Sequence, residues 1–168
     1  MNDYLRLIER DTFSPRYDVT PLFGDYEAFM GLVRDLGRPF ESVEFEVVAG
    51  IDALGFILGT ALALRFQKGF IPIRKGGKLP VEVDTSHFVD YTGHEKSLEL
   101  RVDTIELGTR VLLVDEWVET GTQVRAAIDL IEGQGGVVIG VAAINIDDTE
   151  ATCSLRERYN CHTVWQNA

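Results

Sequence analysis

Two consecutive acids, Asp115 and Glu116, end a run of four aliphatic residues at positions 111–114, and Thr120, Gly121 and Thr122 follow a few residues later. Open α/β sheets bind ligands in the crevice beyond the carboxyl ends of their strands, where this order of residues would place the acids. Paired carboxylates there can accept hydrogen bonds from sugar hydroxyls or hold a hydrated Mg²⁺ through oxygen ligands. A Thr/Gly loop that opens a helix also leaves backbone N–H groups aimed at an anion. The plainer reading of the same residues is an acidic strand end with Thr120 as a helix cap.

A second concentration of chemistry is cationic. The chain carries a formal net charge of −11, yet residues 53–81 contain Arg65, Lys68, Arg74, Lys75 and Lys78 and no acid, so this segment is +5 and the remainder −16. An acidic protein that keeps one basic segment can be building a local site for a small anion, although a solvated helix end and turn would look the same. The overall charge argues against a nucleic-acid surface, which needs clustered Lys and Arg. His87 and His94 lie in a polar stretch and could exchange protons near neutral pH, but surface histidines in such loops are more often bystanders. Cys153 and Cys161 form no metal-type cluster, so neither a disulfide framework nor a zinc site is expected, and Cys161, although next to His162, reads as a core thiol.

The elements that must carry these residues follow from periodicity. Phe29, Leu32, Val33 and Leu36 recur at helical spacing after a turn expected at Thr20 and Pro21. Residues 45–49 read as a short strand ended by Gly50, residues 55–66 as a buried helix and residues 70–73 as a strand, which is the order of a βαβ unit. Residues 110–114, 121–132 and 136–146 repeat that order. Between the two units, residues 76–97 carry glycines, charges and no sustained period, and suit a mobile flap or hairpin ahead of a strand over 97–102. A short helix over 147–159 and a last strand over 162–165 complete the expectation. The result is an α/β fold with a central, mainly parallel sheet flanked by helices.

At 168 residues, 45% hydrophobic and 26% charged, the chain has the size and balance of one globular domain, taken here as residues 1–168. No apolar run reaches membrane-spanning length and the first residues lack the order of a signal peptide, so a cytoplasmic protein with no membrane partner is expected.

The segment from Val111 to Gln123 resembles the signature of type I phosphoribosyltransferases: four aliphatics, two acids, two apolar residues, then a Thr/Gly loop. Two further segments resemble the adenine-type members. Residues 47–59 are similar to their diphosphate-binding loop and following helix, and residues 70–80 to their basic loop. Leu98-Glu99-Leu100 and Asp18-Val19-Thr20-Pro21-Leu22 fit in order, so the likeness runs from about residue 16 to residue 141.

The resemblance implies the type I phosphoribosyltransferase fold and transfer of 5-phosphoribosyl from phosphoribosyl diphosphate to a purine, adenine above all. Diphosphate would be released, with Mg²⁺ as cofactor, in a homodimer. It assigns ribose and metal binding to Asp115 and Glu116, and phosphate binding to the loop Glu119, Thr120, Gly121, Thr122 and Gln123. Diphosphate would be held by Ala53, Leu54, Gly55, Arg74, Lys75 and Lys78, and the base by Arg16 and Tyr17. Asp90 and Tyr91 are the counterparts of the family's catalytic Glu-Tyr pair in the flap.

Several residues depart from the family pattern. Leu54 stands where an Arg is usual, Gln123 where a Thr is usual, and Arg16-Tyr17 where the adenine-type pattern has Phe-Arg. Glu119 replaces a small residue in the phosphate loop. A carboxylate about 5 Å from a phosphate costs roughly 3 kcal/mol per unit charge at an effective dielectric near 20. A helix N-terminus returns only about 0.3–1 kcal/mol, up to about 2. Either Glu119 points away from the ligand or the loop no longer takes a phosphate dianion in the usual way. Leu54 and Glu119 therefore support a second reading, a non-catalytic sensor of nucleotides or phosphoribosyl compounds. A third is an enzyme of the same fold with another base or sugar donor.

Overall fold

The computed structural model describes residues 3–13, 16–90 and 92–165. Among these, α1 (Thr20–Gly24) and α2 (Tyr26–Gly37) precede a first strand, β1 (Val47–Ile51), which leads through α3 (Leu54–Phe66) to β2 (Gly69–Lys75). A hairpin of β3 (Val83–Val89) and β4 (Glu95–Arg101) follows, and then β5 (Arg110–Val114), the two-residue β6 (Trp117–Val118) and α4 (Thr122–Gly133). The chain ends in β7 (Val137–Ala143), β8 (Asn145–Ile146), α5 (Glu150–Arg158) and β9 (Cys161–Thr163).

Seven strands form one sheet in the order β3-β4-β2-β1-β5-β7-β9. β1 pairs in parallel with β2 and with β5, and β7 in parallel with β5 and β9. Strand alternation sorts the apolar side chains onto two faces. Val111 and Leu113 of β5 pack with Val124, Ala127, Ile128 and Ile131 of α4. Leu112 and Val114 face the other way, with Leu32 and Leu36 of α2 and Leu58 and Leu62 of α3. A helix layer therefore covers each side of the sheet, as βαβ crossovers require.

The expected flap is a real hairpin. β3 and β4 pair antiparallel from Val83↔Arg101 to Val89↔Glu95, and β4 joins the main sheet through Arg74↔Glu99 and Lys75↔Leu98. β3 falls within the stretch read as lacking periodicity. Its side chains are all exposed or half-exposed, so no apolar alternation marked it.

Three other expectations are corrected. Thr20 and Pro21 open α1 instead of making a turn, because a proline in the first helical turn forfeits no hydrogen bond. Gly50 lies inside β1 rather than ending it. The run expected over 136–146 breaks at Ile144 into β7 and β8, with the Ile144 N–H donating to the Glu116 carbonyl at 2.9 Å.

Candidate active site

β1 turns to its neighbour through α3 on one face, and β5 through α4 on the other, so the ends of these two adjacent strands flank the point where the sheet's connections diverge. Doubly wound sheets bind ligands in such a crevice. Asp52 to Gly55 leave the end of β1, and Asp115 and Glu116 leave the end of β5.

Two glycines allow this closeness. A Cβ on Gly55 would lie 2.8 Å from the Val114 carbonyl oxygen and 3.3 Å from the Asp115 Cα. One on Gly50 would lie 2.5 Å from the Gly55 carbonyl oxygen. The first turn of α3 thus rests directly on the backbone of the acidic strand end. The Asp52–Ala53 peptide bond in this loop is cis.

Two adjoining cavities, about 430 and 350 Å³, share Arg16, Lys75, Asp115, Trp117, Glu119 and Gln123 in their walls. The larger extends to Thr120, Gly121 and Thr122 of the loop before α4 and to Phe88, Asp90 and Lys96 of the hairpin. The smaller reaches Ala53 and Leu54, Glu116, Tyr17 and Asp147. Residues from six separate parts of the sequence therefore meet around one space.

Asp115 is 6% exposed. Burial pushes its carboxyl up to about 8, with the charges of Glu116 and Glu119 acting the same way against the stabilising Glu116 N–H. Burial also raises Glu116, to about 7, against the opposing pull of Arg16. Asp115 accepts the Glu116 N–H at 2.8 Å and the Gln123 side-chain amide at 3.3 Å.

The loop before α4 needs a glycine, because Gly121 adopts φ +77 as the residue preceding the helix. No side chain caps this helix. The Thr122 hydroxyl donates instead to the Val89 carbonyl at 2.8 Å and lies 3.0 Å from the Thr120 hydroxyl, which fastens the hairpin to the loop. Glu119 faces the cavities, but Arg16 approaches it at 3.1 Å. The first alternative for Glu119, that it points away from the ligand, is corrected: the carboxylate points inward and is answered by a cation.

Of the residues expected to bind diphosphate, Ala53, Leu54 and Lys75 line the cavities. Arg74 is engaged by Asp52 at 3.0 Å, and the same carboxylate accepts the Lys75 N–H at 3.4 Å, joining the β1 loop to the end of β2. Lys78 lies outside both walls, in a turn whose Gly77 and Lys78 N–H groups donate to Glu99. Gly55 contributes close packing rather than a wall.

In the hairpin, Asp90 lines the larger cavity while one of its carboxylate oxygens accepts from Thr92 and from the His94 N–H. These bonds, the Thr92 hydroxyl first, hold its pKa below the usual value. Tyr91 lies outside the described residues. Sequence reading assigned no role to Trp117, Asp147 or Asp52. Trp117 packs edge-on against Tyr17 with ring centroids 5.3 Å apart, and its indole N–H donates to Asp147 at 3.1 Å. An aromatic residue directly after the acid pair was the available signal.

The phosphoribosyl transferase domain model matches residues 32–164, which include both strand ends, the hairpin and the loop before α4. The chain belongs to the phosphoribosyl transferase family. Among its relatives, an adenine phosphoribosyltransferase of Halothermothrix orenii is 40% identical over 151 residues, covering 89% of this chain and 87% of the relative. Solved adenine phosphoribosyltransferases from Rhodothermus marinus and Thermoanaerobacter pseudethanolicus superpose with TM-scores of 0.85 and 0.87 at 33% and 29% identity. They cover 96% of this chain, which in turn covers 94% and 96% of theirs. The phosphoribosyltransferase chain has no described helix long and apolar enough to cross a membrane.

Proposed function

We propose that this chain is an adenine phosphoribosyltransferase, moving 5-phosphoribosyl from phosphoribosyl diphosphate to adenine with release of diphosphate. The observation that carries the reading is the meeting of three parts around one space at the sheet's divergence point: the buried Asp115-Glu116 pair, the loop opening α4, and Lys75 beside the β1 loop. Relatives named as transferases favour turnover over the sensor reading.

In this reading a base nitrogen bonds to the anomeric carbon as the bond from that carbon to diphosphate breaks. The transition state is oxocarbenium-like, so positioning both reactants and stabilising the departing charge are the protein's main tasks. Asp115 and Glu116 accept from the ribose hydroxyls, and Thr120, Gly121, Thr122 and Gln123 surround the 5-phosphate. Lys75 and the Ala53-Leu54 backbone face the diphosphate, while Arg74 holds Asp52 and so the shape of that loop. Tyr17 offers a ring to the base and Arg16 offsets Glu119.

The donor set suits Mg²⁺, which takes one or two carboxylates and completes its shell with water and substrate oxygens. When bound, the ion would neutralise diphosphate charge. Asp115 and Glu116 are the residues to hold it.

A homodimer is supported by Ile57 and Leu64, exposed apolar side chains seven residues apart on α3. Cytoplasmic residence is supported by the free thiols of Cys153 and Cys161. The test is diphosphate release from phosphoribosyl diphosphate and Mg²⁺ against a panel of purines. Adenine is expected to be the preferred acceptor; no turnover with any purine overturns the reading.

A further inference from the structure

Asp147 follows β8 and helps wall the smaller cavity together with Tyr17 and Trp117. The pairing of β6 with β8, Trp117↔Asn145 and Val118↔Ile146, brings it beside the acid pair. Its carboxylate is held on one side: Oδ1 accepts the Trp117 indole N–H at 3.1 Å and the Asn145 side-chain amide at 2.6 Å. Its backbone is held too, with the N–H donating to the Val118 carbonyl at 2.9 Å and the carbonyl accepting from the Thr152 hydroxyl. Among the described residues no donor reaches Oδ2. The wall therefore presents one oriented acceptor next to the Tyr17 and Trp117 rings.

We propose that Asp147 is a specificity-determining residue that reads the acceptor base, accepting the exocyclic amino group of a 6-aminopurine on Oδ2. This rests on the transfer reaction proposed above. The aromatic rings suit a flat heterocycle. A carboxylate accepts from an amino group and meets a 6-oxo oxygen as one acceptor against another, and a site built around one hydrogen-bonding group discriminates strongly against the ligand that cannot match it. A guanine-type N–H pair would need both carboxylate oxygens, and Oδ1 is already committed.

The test is Asp147→Asn in the full chain. The amide oxygen can keep Trp117 and Asn145 while an NH₂ group replaces the free acceptor, so the preference should invert. The kcat/KM ratio of adenine to hypoxanthine is expected to fall roughly 100-fold, from loss with adenine and gain with hypoxanthine. Equal losses with both bases, or an unmoved ratio, would mean that Asp147 only positions Trp117, and would overturn the proposal while leaving the transfer reaction standing. Calorimetric binding of adenine and hypoxanthine to both proteins separates the two readings. A switched binding preference without turnover supports Asp147 and removes the transfer reaction; binding of neither base by the wild type overturns both. If Asp147→Asn fails to fold, Trp117→Phe, which removes one of the two donors that orient the carboxylate but keeps an aromatic ring, is expected to lower the adenine preference several-fold. An unchanged preference there counts against the proposal.

Discussion

The Arg16 guanidinium meets the Glu119 carboxylate at 3.1 Å across 103 residues of chain, at the mouth of the loop that opens α4. The side chains are 60% and 27% exposed, so the pair adds little to stability, but its placement sets the charge that an arriving phosphate meets. Glu119→Ala should strengthen binding of phosphoribosyl diphosphate, lowering its KM several-fold, because the carboxylate goes and Arg16 stays. Arg16→Ala should raise KM about tenfold or more, and the double variant should recover most of the loss. Steady-state kinetics with varied phosphoribosyl diphosphate checks all three.

Leu54 occupies the wall beside Lys75 with a side chain that cannot answer negative charge. Leu54→Arg is expected to raise kcat/KM for phosphoribosyl diphosphate several-fold with thermal stability nearly unchanged, since the side chain is only half-buried. Comparing initial rates at limiting donor concentration checks this.

Asp115 gives the protein a pH dependence of definite sign. Its folded pKa of about 8 lies above the ordinary 3.8, so the folded chain binds the extra proton between those values. Its contribution to stability is fully present below about pH 4 and is lost as pH rises towards 8. Melting temperatures measured from pH 5 to 9 should fall less steeply in Asp115→Asn, which should be the more stable protein at the alkaline end. Ligand binding that requires the ionised pair should release protons near pH 7, measurable by calorimetry in buffers of different ionisation enthalpy.

Gly55 is the point where α3 touches the end of β5. Gly55→Ala would place a methyl group 2.8 Å from the Val114 oxygen, and rigid backbone surrounds it. A loss of about 1–3 kcal/mol in chemical denaturation is expected, with a larger effect on activity than on folding because the acid pair shifts.

The Thr122 hydroxyl is the link between the loop and the hairpin. Thr122→Val keeps the shape and removes the donor. The amide hydrogens of Asp90, Gly93 and His94 should then exchange faster while those of β5 stay protected.

Much of this arrangement was legible beforehand, for reasons that mark the limits of sequence reading. The parallel strands announced themselves because burial on both faces demands aliphatic runs such as 111–114, and the acids after them stood out by type and place. β3 did not, because its side chains leave no apolar face to detect. Gly50 read as a stop because its actual cause, a crossing by the Gly55 carbonyl, lies outside the strand. The Arg16–Glu119 pair and the Trp117–Asp147 bond join residues 103 and 30 positions apart, and no local pattern encodes such partners. Glu119 therefore looked like an uncompensated repulsion until the fold supplied its cation.

β1 and β5 are interior strands, each laddered to a neighbour on both sides. Shifting the floor from which the acid pair rises would mean breaking two rows of backbone bonds at once. Adjustment to an incoming ligand is thereby left to the rim, where Arg16 and Tyr17 lie outside any helix or strand and are held through side chains such as Glu119, Trp117 and Trp165. The site is an anvil with soft edges: its acidic centre is set by the fold, and its tolerance for different partners resides in the periphery.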